Sequence, residues 1–227
     1  MGNEIWPTWS PDSAQLAFAK PPHAYLKTLT GAQSTLLENE QRQKYPSDWS
    51  RDGKFVVYRT IGASATGDLW ALPLQGDRKP FPVIESSFEE TRAQFSPDGQ
   101  WISYESNQSG RNEVYVRRFN APSVPIQISV SGGSEARWHP NGRELFYIGP
   151  GPTMMSVGIR RSPDGTALEP SAPRQLFAAP VPGSGRQAAN VKFQYAVSAD
   201  GTRFLINEVL EGNSASPLIV VLNWKPQ

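Results

Sequence analysis

Two histidines, His23 and His139, and no cysteine in 227 residues leave little of the usual equipment for covalent or metal chemistry. Without Cys there is no thiolate nucleophile, no disulfide frame and no Cys-based zinc site. A serine hydrolase needs a Gly-x-Ser-x-Gly elbow and a His base. Neither Gly133-Ser134-Glu135 nor Gly183-Ser184-Gly185 completes one. His23 follows Pro21-Pro22 in a loop and His139 occupies a turn, so both read as surface residues, and no metal or cofactor is expected. The acids Asp12, Asp52, Asp98 and Asp200 recur at matching places and invite a calcium or acid/base reading. Each sits inside a reverse turn, however, where an Asp side chain caps the backbone that follows. The chemistry left to this chain is recognition by polar side chains, and it reads as non-catalytic.

The turns belong to a repeat. Its copies are Trp9-Ser10-Pro11-Asp12-Ser13, Trp49-Ser50-Arg51-Asp52-Gly53, Phe95-Ser96-Pro97-Asp98-Gly99, Trp138-His139-Pro140-Asn141-Gly142 and Val197-Ser198-Ala199-Asp200-Gly201. They begin at 9, 49, 95, 138 and 197, at intervals of 40, 46, 43 and 59 residues. Pro presets φ, Asp or Asn bonds the backbone two residues on, and Gly accepts a positive φ, so the motif reverses the chain between two strands. Ser13, Arg51, Ala199 and the His139/Asn141 pair depart from the pattern with residues a turn tolerates. Each copy precedes a β-branched or aromatic run such as Phe55-Val56-Val57-Tyr58 or Trp101-Ile102-Ser103-Tyr104. A third strand follows, as in Asp68 to Leu72 and Asn112 to Val116, and then a fourth, as in Phe81 to Ile84 and Pro125 to Ile128.

Such a period suits the four-stranded blade of a β-propeller. A β-sandwich would show turns more often and no repeated motif. The expectation is an all-β chain, one propeller domain over residues 1–227, with blades near 4–38, 45–84, 91–128, 134–178 and 191–224. The first strand of the first blade spans Glu4 to Trp9; the fifth blade ends at its third strand, Pro217 to Trp224, lacking the fourth. An open ring exposes a sheet edge, so the chain reads as part of a ring of six or more blades. Ser162-Pro163-Asp164-Gly165 lacks the leading aromatic and counts as an ordinary turn.

In this architecture the aromatic that opens each motif (Trp9, Trp49, Phe95, Trp138) plugs the space between blades, and Asn141 stands in for the turn Asp. Ligand contacts belong on the innermost strands at the channel rim. Strict alternation with Ala93 and Phe95 packed turns Arg92 and Gln94 toward the channel; the same count from Ala136 and Trp138 turns Glu135 and Arg137, and from Val197 it turns Lys192 and Gln194. Arg with Glu suits a polar peptide or a carboxylate-bearing ligand. Lys+Arg 22 against Asp+Glu 21 gives a formal charge of +1, which supplies no field for nucleic acid. No apolar run approaches the ~20 residues of a membrane span, so this fragment is expected to make no membrane contact.

The repeat resembles the Pro-Asp propeller repeat of the TolB-like family over nearly the whole chain. Gly67 to Leu74, Phe95 to Trp101, Ser109 to Val116, Gly142 to Tyr147 and the terminal Ile219 to Trp224 also resemble the propeller ends of bacterial membrane-anchored serine/threonine protein kinases. That resemblance implies an extracytoplasmic, periplasmic sensory or interaction module following a kinase domain and a membrane span; kinase motifs themselves are absent from this sequence. Two alternatives stand beside it. One is a TolB-like periplasmic scaffold. The other is the propeller part of a hydrolase or lyase, since similar propellers precede prolyl-oligopeptidase-type peptidase domains and some hold a metal through several axial His residues.

Overall fold

The computed structural model describes residues 5–37, 42–62, 66–181 and 193–207, and every regular element among them is a β-strand. Antiparallel sheets follow one another along the chain. The first is β1 (Ile5–Trp9), β2 (Gln15–Lys20), β3 (His23–Thr28) and β4 (Gln33–Leu37); the second is β5 (Gln43–Trp49), β6 (Phe55–Ile61), β7 (Gly67–Pro73) and β8 (Phe81–Ile84). The third is β9 (Glu90–Phe95), β10 (Trp101–Ser106), β11 (Glu113–Arg118) and β12 (Ile126–Gln127). Each is a meander in sequence order, as a chain of short strands and tight turns dictates. The inner strands β1, β5 and β9 touch in succession, and β9 touches the inner strand of the fourth sheet, so the sheets are blades around a channel.

The fourth blade departs from the four-strand expectation. Its strands are β13 (Ser134–Trp138), β14 (Glu144–Gly149), β15 (Thr153–Arg161), β16 (Leu168–Pro170) and β17 (Arg174–Ala178). The long β15 pairs with β17 through Thr153–Ser156 and with β16 through Ile159–Arg161. β17 is therefore the blade's fourth strand, and β16 is an added hairpin arm reached through the Ser162–Gly165 turn. That turn opens no blade, yet its bonds repeat those of the motif: the Ser162 hydroxyl donates to Asp164 and accepts from the Ala167 amide, and Asp164 accepts from the Thr166 amide. Of the fifth blade, β18 (Tyr195–Val197) and β19 (Phe204–Ile206) are described; its third strand, expected over Pro217 to Trp224, lies outside the described residues.

Blades pack through the motif aromatics, each on the blade before it. Trp49 joins Ala17, Ala24, Leu36 and Leu37 of the first blade; Phe95 joins Leu69, Ala71, Val83 and Ile84 of the second; Trp138 joins Val114, Val116 and Ile128 of the third. Phe95 also meets Phe119 edge-on, with ring centroids 4.8 Å apart. Trp49, Phe95 and Trp138 are 6–8% exposed, whereas Trp9, with no preceding blade among the described residues, is 54% exposed. Burying one such ring contributes roughly 2–3 kcal/mol, so the repeat fixes blade spacing as well as chain reversal.

Candidate functional site

The turns come first, because they set where each inner strand begins. Ser10, Ser50, Ser96 and Ser198 each donate to the Asp two residues on, and that Asp accepts the amide of Ala14, Lys54, Gln100 or Thr202. The fourth turn keeps the second bond and changes the first: Asn141 Oδ1 accepts the backbone N–H of Arg143 at 2.9 Å, while His139 Nδ1, in place of a donating Ser hydroxyl, accepts the backbone N–H of Asn141 at 3.1 Å. Hydrogen bonds from Ser198 and then from Thr202 hold Asp200 at about 2; Ser162 and Thr166 do the same to Asp164. These carboxylates are occupied as caps. Among the described residues no group of three or more His, Asp or Glu is gathered for a metal.

Simple alternation fails on the inner strands, and the cause is visible in the backbone. Register shifts interrupt the pairing of β1, β5, β9 and β13 with the second strands of their blades. In three of these strands the residue three before the motif aromatic takes a left-handed conformation: Trp6 (φ 59°), Arg92 (φ 48°) and Glu135 (φ 58°). In the second blade that place is Pro46, whose ring forbids a positive φ, and the ladder still shifts between Pro46 and Asp48. A bulge adds a residue, bends the strand and re-aims side chains, so counting by twos misplaces what precedes it.

The six residues assigned to the rim therefore divide. Arg92 and Glu135 are not solvated channel residues; they are 5% and 1% exposed and belong to a buried lattice between blades. The fully buried carboxylate of Glu105 accepts from Arg92 at 2.9 Å, Asn112 Nδ2 at 2.8 Å and the Glu135 amide at 2.6 Å. Glu135 in turn accepts the Gln194 amide, carrying the lattice to the fifth blade. Burial raises the Glu135 pKa, against the lowering effects of the Gln194 amide and Arg92. Gln194 is likewise buried, its side chain accepting from Asn207 at 2.7 Å. Lys192 lies outside the described residues.

Gln94 and Arg137 stay at the mouth. Both precede a motif aromatic directly, as does Asp48. Turned so that its nitrogen faces the Ala136 carbonyl, the Gln94 amide group donates to that carbonyl at 2.9 Å and its oxygen accepts from Arg137 Nη1 at 3.1 Å. The Arg137 guanidinium lies 3.8 Å above the Phe193 ring. Burial pulls the Arg137 pKa below its ordinary value, while Tyr195, Asp48 and Glu135 pull it back. Asp48 accepts the Phe95 amide at 2.9 Å. With Trp49, Phe95 and Trp138 these three residues line a cavity of about 250 Å³ at the turn end of the channel, and Arg51 borders it. An acid, an amide and an arginine among aromatic walls can orient a polar group and shield it from water. Sequence reading missed Asp48 and Arg51. Repeat position was the available signal, since Asp48 matches Gln94 and Arg137 one place before the aromatic.

Comparison with known proteins agrees with the propeller fold. The TolB beta propeller domain family matches residues 3–168. TolB from Acinetobacter baumannii is 17% identical with a TM-score of 0.58, over 88% of this chain and 53% of TolB. A periplasmic gluconolactonase from Pseudomonas aeruginosa is also 17% identical, with a TM-score of 0.55 over 87% of this chain and 62% of the lactonase. A prolyl endopeptidase structure is 13% identical, with a TM-score of 0.52 over 90% of this chain and 35% of the endopeptidase. At these identities the likeness is one of fold, and the chain spans about half the length of TolB.

Proposed function

Because the chain belongs to the TolB beta propeller domain family, we propose that it is a non-catalytic binding module that recognises a protein, peptide or small polar ligand at the channel mouth. One observation carries the reading. Three consecutive inner strands deliver Asp48, Gln94 and Arg137 to one aromatic-walled cavity of about 250 Å³, each from the same place in its repeat. Arg92, Glu135 and Gln194 support the mouth from the lattice beneath it.

Peptide display on the 227-residue chain tests this, with Asp48→Ala/Gln94→Ala as the counter-screen. Peptides retained by the parent and lost by the variant are expected. Turnover of lactones or prolyl peptides that vanishes in Asp48→Ala would instead favour the hydrolytic reading, which the lactonase and endopeptidase propellers keep as the second choice.

At a finer level, the module is the extracytoplasmic sensory end of a membrane-anchored serine/threonine kinase. Support comes from the Gly67–Leu74, Phe95–Trp101, Ser109–Val116 and Gly142–Tyr147 stretches. Among the described residues no helix is long and apolar enough to cross a membrane, so the anchor in this reading lies elsewhere in the protein. A kinase domain and a hydrophobic span encoded upstream in the same reading frame are expected. A reading frame flanked by envelope-protein genes and lacking a kinase favours the periplasmic scaffold.

A further inference from the structure

Neighbouring turns approach one another closely around the mouth. A side chain on Gly53 would come 3.9 Å from Pro11, and one on Gly142 would come 3.6 Å from Pro97; at Gly201 it would collide with His139. The series breaks once, between the second and third blades, where Gly99 has no such neighbour within 4 Å. That is where Arg51 replaces the turn proline. Arg51 is exposed and reaches across the mouth toward the Pro140 carbonyl of the fourth blade, 3.5 Å from its Nη1. This contact is long and uses one of the five N–H donors of a guanidinium.

Arg51 shares the cavity lining with the Arg137 guanidinium, which lies 3.8 Å above the Phe193 ring and within hydrogen-bond distance of the Gln94 amide group. The charged lining is thus two arginines against Asp48, which already holds the Phe95 amide. Planar guanidinium forks suit carboxylates, and aromatic walls strengthen such pairing by excluding water. A cavity of about 250 Å³ has room for one side chain, not for a folded surface. Taking the mouth as the recognition site proposed above, we infer that it receives an acidic peptide segment, one Asp or Glu carboxylate seated between Arg51 and Arg137.

The test uses the ¹⁵N-labelled 227-residue chain and two acetylated, amidated hexapeptide pools. One pool is rich in Asp and Glu; the other replaces each acid with Asn or Gln. The acidic pool is expected to shift the Nε–H signals of Arg51 and Arg137 and the Trp138 indole saturably, at least about tenfold tighter than the amide pool, and to weaken with added salt. Arg51→Gln should cut acidic affinity about tenfold and leave the amide pool unchanged, with Arg51→Lys recovering part of the loss. Equal binding of both pools at the mouth overturns the acid preference while sparing the mouth as a binding site. Shifts confined to residues away from the mouth overturn both readings. No shift with the acidic pool overturns the inference and leaves the mouth to be judged by the display selection.

Discussion

The Glu105 carboxylate accepts the backbone N–H of Glu135 at 2.6 Å, joining the third blade to the fourth across 30 positions of sequence. Arg92 and Asn112 donate to the same group, which is fully buried, and Arg92 is 5% exposed. Removing one partner of such a group leaves buried charge behind. Glu105→Ala should therefore cost about 3–5 kcal/mol in chemical denaturation, with Glu105→Gln less damaging because an amide oxygen can still accept. A loss under 1 kcal/mol would mean the lattice contributes little to blade association.

Trp138 seals the third blade against the fourth and walls the mouth. Trp138→Ala should lower stability by about 3–5 kcal/mol, and Trp138→Phe by appreciably less, because the ring still fills the gap between blades. The exposed Trp9 is the control: Trp9→Ala should cost under ~1 kcal/mol in the same assay.

At Gly201 a side chain would meet His139, and φ is +73°. Gly201→Ala should destabilise by more than about 1 kcal/mol, while Gly99→Ala, at φ +69° with no neighbour within 4 Å, bears the conformational penalty alone. The difference between the two, read from urea midpoints, isolates the turn-to-turn contact.

Asp164 and Asp200 have pKa values of about 2 against an ordinary 3.8, owing first to the Ser162 and Ser198 hydroxyls. A folded value below the unfolded one means the unfolded chain binds more protons between them. The stabilisation is complete above pH ~4 and is lost as pH falls toward ~2. Melting temperature should decline over that window, and Asp200→Asn should shallow the decline. An unchanged slope in the variant would show that this carboxylate is not linked to folding.

Arg51→Pro restores the residue type found at Pro11, Pro97 and Pro140. Restricting the unfolded chain should raise stability by about 0.4–1 kcal/mol while acidic-peptide affinity falls. Gain in one with loss in the other would mark Arg51 as kept for binding.

Read without coordinates, the chain already declares its repeat, its turns and its blades, because these rest on local chemistry. Pro and Asp bend the backbone wherever they stand, and an aromatic beside each bend needs a neighbouring sheet to bury it. β8 falls on Phe81–Ile84, where sequence places a fourth strand, for that reason. The division of the polar inner-strand residues was decided only by tertiary structure. Arg92 and Glu135 sit in bulges whose left-handed backbone no period-two count contains, and their partner Glu105 comes from a neighbouring strand in one case and a neighbouring blade in the other. Repeat position marks Asp48 as the equivalent of Gln94 and Arg137, but that these residues and Arg51 meet in one cavity follows only from blades distant in sequence converging on one axis.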